Sequence, residues 1–373
     1  MKVALVCDWL TGVGGAEKVL LALHKMYPEA PIYTSQYNPK EIDWFKDADV
    51  RVGRLQKFPA KLRRIIGPLR QRYFSKLDLS EYDLVISVTG AEAKAVKVPN
   101  GIHISYCHVP TQYYWQMYKD YIKNPGFGIL NPFVRLFFRL MVGPLRRADL
   151  KAAQRPDYFI TISEYAKDAI KQSYGREATI IHPPVEVEDF RKNKKDAPSY
   201  VKNSYIVTSR QANWKRIDLA VKACLMTQRH LVVIGDGPEH KKLMKLAKDS
   251  DLVKFLSFMK KEKLATYLSE AKGYLFPSLE PFGIAPVEAL AVGCPVIAYG
   301  VGGAKDYVED GKNGILFEEQ TTKSLAEAIL KFEKMKFDPK KVSKTADKFS
   351  LERFEKEIAD FIKKAEKKHE KNS

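Results

Sequence analysis

The stretch Tyr274-Leu-Phe-Pro-Ser-Leu-Glu-Pro-Phe-Gly-Ile-Ala-Pro-Val-Glu288 runs from a short apolar segment into a helical pattern. Its first three residues are typical of a buried strand. Pro286 suits the first position of a helix, and Gly293 followed by Pro295 predicts the end of that helix. The stretch therefore predicts a strand, a loop that carries Glu280, and a short helix whose first turn carries the final glutamate.

Runs of the same kind alternate with helical patterns on both sides of this stretch, which predicts parallel sheets covered by helices on both faces. The expected fold class is α/β, with two Rossmann-like domains facing a central cleft, where phosphorylated ligands bind in such folds. The strand candidates are 3–7, 32–34, 50–53, 84–88, 102–107, 158–162 and 179–182 in the first series, and 205–208, 231–234, 253–256, 274–276, 296–299 and 315–317 in the second.

A proline-bounded, charged segment at 183–198 interrupts the alternation and is typical of an interdomain linker. A chain of 373 residues is long enough for two domains. We therefore expect an N-terminal Rossmann-like, acceptor-binding domain at 1–185 and a C-terminal Rossmann-like, nucleotide-sugar-binding domain at 186–373. The last helical pattern, 351–368, ends in a lysine-rich tail that we expect to be frayed, and this helix is expected to pack back toward the first domain.

The composition limits the class of protein. Four widely separated cysteines form no CxxC pair, so neither a zinc site nor a disulfide framework is indicated, and a reducing cytoplasm fits best. The first residues are typical of a strand rather than a signal peptide. The apolar stretch 126–145 contains Arg135 and Arg139, which make it too polar for a spanning helix. We expect a cytoplasmic protein, peripheral on the inner face of the membrane.

A formal net charge of +18 requires an anionic partner, either nucleic acid, an anionic membrane or phosphorylated small molecules. The segment 51–76 contains nine lysines and arginines, no acidic residue and many bulky apolar residues, a composition that favours an interfacial membrane element. The segment 133–147 repeats it. Two core helices with cations facing water would also explain both segments. The named nucleic-acid modules have arginine and aromatic clusters that this chain lacks, so a nucleic-acid-associated protein is the less favoured alternative.

The loop around Glu280 has the chemistry of a nucleotide-sugar site. Backbone N–H groups around Phe282, Gly283 and Ile284 at a helix N-terminus can hold diphosphate oxygens. The carboxylates of Glu280 and Glu288 can accept hydrogen bonds from sugar hydroxyls. A helix-capping glutamate would explain Glu288 equally well, but it leaves the glutamate beside Phe-Gly unexplained.

This pattern resembles the Glu-x7-Glu motif of glycosyltransferase family four, whose Phe-Gly also matches. The resemblance implies a GT-B fold and retaining transfer, with Glu280 contacting the donor sugar and Glu288 the ribose. A second match at 207–218 maps an arginine and a lysine of the family onto Arg210 and Lys215. Such cations stabilise the charge on a departing diphosphate. A cluster of solvated charges at a helix start is the alternative, and it suits Arg216 best.

Three weaker matches follow from the same resemblance. Gly14 and Gly15 follow the first strand and are expected to let the backbone approach the donor phosphates, although a plain tight turn also uses glycine. His108, in Tyr106-Cys-His-Val-Pro-Thr-Gln-Tyr-Tyr-Trp115, resembles a histidine that faces the donor sugar in bacterial mannosyltransferases acting on lipid-linked saccharides. A structural histidine is the alternative. Phe258 and Met259 occupy the place where relatives contact the nucleobase.

The resemblance implies a hexosyltransferase with no cofactor and no metal. Asp47-Ala-Asp49 and Asp249-Ser-Asp251 spell a metal-binding Asp-x-Asp pattern, but each precedes a strand, as turn aspartates do. The favoured donor is GDP-mannose, with a UDP-sugar as the alternative, and the acceptor is a lipid-linked saccharide or polysaccharide. A dehydrogenase or epimerase of the same architecture is disfavoured, because the glycine-rich loop does not match G-x-G-x-x-G.

Overall fold

The computed structural model describes residues 1–59, 66–123, 125, 128–192, 197–248 and 250–372. The chain divides into two compact units. The first comprises Met1–Pro183 together with the chain from Phe354 onward, and the second comprises Pro184–Arg353. The first unit therefore includes most of the terminal helix, whereas the sequence-based boundary counted that helix with the second domain.

The first unit contains a seven-stranded parallel sheet in the order β3-β2-β1-β4-β5-β6-β7. The strands at its centre are buried on both faces, because helices cover both sides of a parallel sheet. The strand bounds are β1 Val3–Cys7, β2 Ile32–Thr34, β3 Val50–Val52, β4 Leu84–Thr89, β5 Ile102–Cys107, β6 Tyr158–Thr161 and β7 Thr179–Ile180.

Helices connect these strands. Ser163 caps α5, where its side chain accepts a hydrogen bond from the backbone N–H of Ala166, and Gly175 in the left-handed region ends that helix. The bounds are α1 Gly15–Met26, α2 Gly67–Lys76, α3 Tyr118–Lys123, α4 Asn131–Ala152 and α5 Glu164–Tyr174.

The second unit contains a six-stranded parallel sheet in the order β10-β9-β8-β11-β12-β13. Its strands are β8 Ser204–Thr208, β9 His230–Ile234, β10 Val253–Leu256, β11 Gly273–Phe276, β12 Val296–Tyr299 and β13 Gly314–Phe317. Its helices are α6 Val187–Lys192, α7 Ser199–Lys202, α8 Ile217–Thr227, α9 His240–Ala247, α10 Lys261–Glu270, α11 Ile284–Ala291, α12 Ala304–Tyr307, α13 Thr322–Phe332 and α14 Pro339–Lys344. The two sheets confirm the α/β class with two Rossmann-like domains.

The terminal helix, α15 Leu351–Asn372, packs on the first unit as expected. The Phe354 ring lies 6.0 Å from the Tyr106 ring, and the Phe361 ring lies 5.9 Å from the Tyr158 ring. The lysine-rich tail, expected to be frayed, remains helical to Asn372. Within the described ranges, no helix is both long enough and apolar enough to cross a membrane.

Candidate active site

The loop between β11 and α11 is held by its Phe-Gly pair. Gly283 has a φ of +93°, and a Cβ there would lie 2.6 Å from the Phe276 ring, so only glycine fits. Phe282 is buried, and its carbonyl accepts a hydrogen bond of 3.0 Å from the Tyr307 hydroxyl. The Phe282 side chain therefore anchors the loop in the core, which leaves only its backbone for the expected ligand role.

The α11 helix begins two residues before the position that Pro286 indicated. It starts at Ile284, directly after the turn that Gly283 makes, and Glu288 is its fifth residue. Glu288 thus lies in the second turn rather than the first, and its side chain is buried. A residue so far into a helix cannot cap its N-terminus, so the capping alternative for Glu288 is wrong.

Glu280 is bound to Lys215, one of the two cations that the sequence indicated. The Lys215 Nζ lies 2.6 Å from Glu280 Oε1, and both side chains are mostly buried, at 17% and 14% exposure. The Ser278 hydroxyl donates to the same oxygen at 2.9 Å. Lys215 Nζ also lies 4.2 Å from the centre of the Trp214 ring, whose side chain is exposed. One carboxylate oxygen of Glu280 is therefore occupied twice, and no sequence pattern indicated the role of Ser278.

Arg216 connects the Lys215 turn to the loop that precedes Glu280. Its φ is +51°, a left-handed conformation that is uncommon outside glycine. Its guanidinium donates to Asp218 Oδ1 at 3.1 Å and to Gln320 Oε1 at 3.3 Å. The Gln320 amide in turn donates to the Pro277 carbonyl at 2.9 Å. Arg216 is therefore not a merely solvated charge, as the alternative interpretation had it.

Arg210 differs from Lys215 in having no side-chain partner among the described residues. It follows β8 and is exposed, and its guanidinium has neither an ion pair nor a hydrogen bond to any residue that the structure describes. Its positive charge is consequently uncompensated within that part of the chain. An unpaired arginine offers a planar fork of N–H donors to an anion.

The ends of β8, β9 and β10 meet around Gly235. A Cβ on Gly235 would lie 2.1 Å from the Ser209 carbonyl oxygen and 3.4 Å from the Phe258 ring, and φ there is +129°. The buried Gln211 side chain donates to the Gly235 carbonyl at 2.7 Å. Phe258 is 64% exposed and Met259 is partly buried, so an exposed aromatic ring lies beside closely packed backbone.

In the first unit, the glycine pair begins α1. Gly14 is the N-cap residue with an extended φ of −159°, and Gly15 is the first helical residue. A Cβ on Gly14 would lie 2.9 Å from the end of the flexible Glu17 side chain. The backbone conformation of Gly14 is thus open to other residues, and only the Glu17 side chain would have to move to admit one.

His108 follows β5 and has an unusual environment. Its backbone N–H donates to the Thr89 carbonyl at 2.8 Å, and its ring lies 5.5 Å from the Tyr106 ring. Burial lowers the pKa of His108 to about 4, so the ring is neutral at pH 7. Its Nε2 is buried and has no hydrogen-bond partner among the described residues. His24 and His103 also have a buried ring nitrogen without a partner among the described residues, so this feature does not set His108 apart from a structural histidine.

The first unit contains a buried charge network that no sequence pattern indicated. Glu92 lies 2.5 Å from Arg70, and both side chains are fully buried. The Tyr113 and Tyr114 hydroxyls donate to Glu92 Oε1 at 2.9 and 3.0 Å. A second buried pair joins Lys94 Nζ to Asp149 Oδ1 at 2.6 Å, and the Trp115 indole donates to the other oxygen of Asp149 at 2.7 Å. In the sequence, the signal for this network was the presence of Glu92 and Lys94 inside the otherwise apolar run 91–96.

The network corrects the expectation for the basic segment 51–76. Arg70 is buried against Glu92 and cannot face a membrane, and Arg51 pairs with Asp49 at 2.7 Å. Lys61, Arg63 and Arg64 lie outside the described residues.

Asp49 belongs to one of the two Asp-x-Asp sequences, and Asp249 of the other lies outside the described residues. No group of three or more His, Cys, Asp or Glu side chains in the described ranges could hold a metal ion.

The match to a known protein family lies within the second unit. Residues 189–349 match the family described as Glycosyl transferases group 1. The alpha-1,3/1,6-mannosyltransferase ALG2 of Mus musculus is 22% identical over 410 residues, which cover 95% of this chain and 94% of that protein. A GDP-mannose-dependent alpha-(1-6)-phosphatidylinositol monomannoside mannosyltransferase of Mycobacterium tuberculosis is 27% identical, over 46% of this chain and 51% of that protein. Several other curated relatives are matched over about half of their length.

Among solved structures, the Anabaena protein HepE in complex with UDP-glucose aligns with a TM-score of 0.69 and 20% identity, over 98% of this chain and 100% of that chain. A likeness at this identity shows the fold. Residues 189–349 thus match the Glycosyl transferases group 1 model in a chain with the two-domain GT-B fold, and together these findings support a glycosyltransferase.

Proposed function

We propose that the chain is a retaining glycosyltransferase that moves a hexose to a hydroxyl of a lipid-linked saccharide or a polysaccharide. The favoured hexose is mannose, with GDP-mannose as the donor. The observation that carries this proposal is the loop around Glu280. The Glu280 carboxylate is bound to Lys215 at 2.6 Å, and the same loop leads into the N-terminus of α11 at Ile284. The loop carries a carboxylate and a helix N-terminus, and Lys215 from the turn before α8 adds a cation, so groups suited to a sugar and to a diphosphate lie together.

The departing diphosphate is stabilised by protein groups. In the proposal, the unpaired Arg210 and the ammonium of Lys215 lie at the β-phosphate, and the first N–H groups of α11, around Gly283 and Ile284, bind its oxygens. Charge develops on these oxygens as the bond to the sugar breaks, so preorganised donors lower the barrier. We propose that these groups act without a metal ion and without a cofactor.

The sugar and the ribose are bound by the two glutamates. Glu280 Oε1 is occupied by Lys215 and Ser278, and the second oxygen of Glu280 is proposed to accept hydrogen bonds from hydroxyls of the donor sugar. Glu288 is proposed to accept from the ribose, and Phe258 with Met259 to contact the base. For the first unit the proposal rests on the family resemblance, by which His108 is proposed to contact the sugar.

The transfer itself is proposed to occur on one face of the sugar. The bond between the anomeric carbon and the diphosphate oxygen breaks, the acceptor oxygen bonds to the same face, and the acceptor proton passes to a departing phosphate oxygen. Glu280 Oε1 is held by Lys215 and Ser278, and Nε2 of His108 is buried, so neither residue is proposed as a covalent nucleophile. Retention follows from entry and departure on the same face.

Ligand-dependent melting tests the donor. GDP, UDP, ADP, GDP-mannose, UDP-glucose and NAD are compared, because a ligand at about 100 times its dissociation constant adds roughly 2.7 kcal/mol of stability. Stabilisation by GDP and GDP-mannose alone supports the proposal, and stabilisation by the uridine ligands selects the UDP-sugar alternative. Stabilisation by NAD with no effect of any nucleoside diphosphate would overturn the proposed class.

The acceptor is proposed to lie at an anionic membrane surface, with the protein peripheral on its cytoplasmic face. The net charge of +18 and the mannosyltransferase relatives support this part. Nucleic acid is the competing anionic partner. Retention on heparin without matching affinity for DNA or RNA excludes it, whereas tight, salt-dependent binding to nucleic acid would favour it.

A further inference from the structure

The solvent-exposed side of α4 carries both bulky apolar side chains and arginines. Phe133, Leu136 and Leu140 are 72%, 56% and 68% exposed, although they are among the bulkiest apolar side chains of the helix. They recur at spacings of three and four residues and therefore share one side of the helix. The same spacing continues to Arg147, which is also exposed. We call the surface formed by Phe133, Leu136, Arg139, Leu140 and Arg147 the α4 face.

The opposite side of α4 explains why these residues are outside. Val134, Phe138 and Leu145 are buried there, and the Phe138 ring lies 4.8 Å from Tyr121 of α3. The apolar requirement of the core is thus met by the inner side alone. The bulky residues of the α4 face have no packing role within the described fold, and so large an exposed apolar surface marks a contact with something else.

The charge of the α4 face selects the partner. The only acidic residue of α4, Asp149, is buried against Lys94, so no carboxylate on this helix offsets its outer cations. Arg139 and Arg147 are exposed and form no ion pair or side-chain hydrogen bond with any described residue. The neighbouring α2, which donates from Gln71 to the Ala148 carbonyl of α4, adds an exposed leucine and an exposed arginine, Leu69 and Arg72.

We propose that the α4 face docks on an anionic lipid bilayer, with its apolar side chains in the boundary of the acyl chains and its arginines at the phosphates. Helices of this composition lie in the membrane interface. A second copy of the chain would bring the same cations against one another, which disfavours a symmetric dimer. A nucleic acid backbone would leave the bulky apolar side chains without a role. The proposal deepens the membrane part of the proposed function, but its test uses no sugar chemistry.

The test is co-sedimentation with vesicles of phosphatidylcholine, alone or with phosphatidylglycerol. The charge variant is Arg139→Glu with Arg147→Glu. Its matched control is Lys241→Glu with Lys245→Glu on the exposed side of α9, which lowers the formal net charge equally. The wild-type chain and the control are expected to bind anionic vesicles within about threefold of each other, and the charge variant at least about tenfold less. Equal losses in both variants would overturn the proposal, because they would indicate attraction by net charge alone.

The apolar variant combines Phe133→Ser, Leu136→Ser and Leu140→Ser, and its control combines Met226→Ser, Met244→Ser and Leu330→Ser, three exposed residues of the second unit. The apolar variant is expected to lose at least tenfold in vesicle binding, and the control to retain it. All variants should keep the wild-type melting temperature, because the substituted side chains are exposed. Unchanged vesicle binding by the apolar variant, or a wild-type dimer that the variant converts to a monomer in sedimentation velocity, would overturn the proposal.

Discussion

Lys215 and Glu280 are separated by 65 residues in sequence, and their charged groups lie 2.6 Å apart. Without donor, the lysine proposed to bind a diphosphate is thus neutralised by the carboxylate proposed to bind the sugar. A bound donor must share or replace this ion pair, so affinity for the diphosphate and for the sugar are coupled through these two side chains.

Replacing Glu280 by glutamine tests this coupling. The amide cannot neutralise Lys215, so the free nucleoside diphosphate is expected to bind as tightly as to the wild-type chain or more tightly, while transfer falls by roughly 100-fold because the sugar contact is weakened. Calorimetry gives the affinity, and a transfer assay gives kcat. If the nucleoside diphosphate binds much more weakly to Glu280→Gln, the proposed competition for Lys215 is wrong.

Replacing Lys215 by alanine should lower kcat by about 100- to 1,000-fold, since one preorganised cation at the leaving group is lost. The melting temperature should fall, because the mostly buried Glu280 carboxylate loses its cation and keeps only the hydrogen bond from Ser278, so kcat is measured below the melting range of the variant. Lys222→Ala is the control, as that lysine is exposed and pairs with Asp218 at 3.7 Å. A Lys215→Ala chain that transfers at the rate of this control contradicts the assigned role.

Arg216 is expected to act as a positioning residue through Gln320 and the Pro277 carbonyl. Arg216→Ala and Gln320→Ala should each lower kcat about tenfold, and the double variant should lose little more, because both interrupt one chain of contacts. Arg216→Gly separates the loss of the side-chain contacts from backbone strain, because glycine adopts a φ of +51° without strain and also lacks the side chain. Additive losses in the double variant would show two independent effects.

The Arg70 and Glu92 pair predicts a stability effect. Arg70→Met leaves a buried carboxylate without its cation and should destabilise the first unit by about 3 to 5 kcal/mol. The double variant with Glu92→Gln should recover part of that loss, because no unpaired charge remains. Urea unfolding checks both values. A single variant within about 0.5 kcal/mol of the wild type would show that the pair is not buried in solution.

His108 predicts a pH dependence of folding. Its pKa is lowered by burial to about 4, against 6.5 when exposed, so the unfolded chain binds more protons between these values. Stability is therefore present above pH 6.5 and is lost as the pH falls toward 4, by at most about 3 kcal/mol from this residue. His108→Gln should flatten that part of the profile when unfolding is followed at each pH. If the His108→Gln variant keeps the wild-type slope, the pH dependence of stability comes from another group, for example the buried His103.

Sequence patterns predicted the two sheets closely, because buried parallel strands are continuous apolar runs between helices. They placed the start of α11 two residues late, since the positive φ of Gly283 starts the helix before Pro286. Arg70 was misplaced on a membrane surface because its partner, Glu92, is 22 residues away and only folding brings them together. Long-range pairs such as Lys215 with Glu280 leave no local pattern.

Protein cations, rather than a bound metal ion, are proposed to neutralise the departing diphosphate. The most direct test is the single-turnover transfer rate in a chelator, from the nucleotide sugar that the melting comparison selects, for the wild-type chain and for Arg210→Ala with Lys215→Ala. The wild-type rate should be unchanged by the chelator, and the double variant should be slower by at least about 1,000-fold. A chelator that abolishes wild-type turnover, or a double variant that transfers at the wild-type rate, would contradict this proposal.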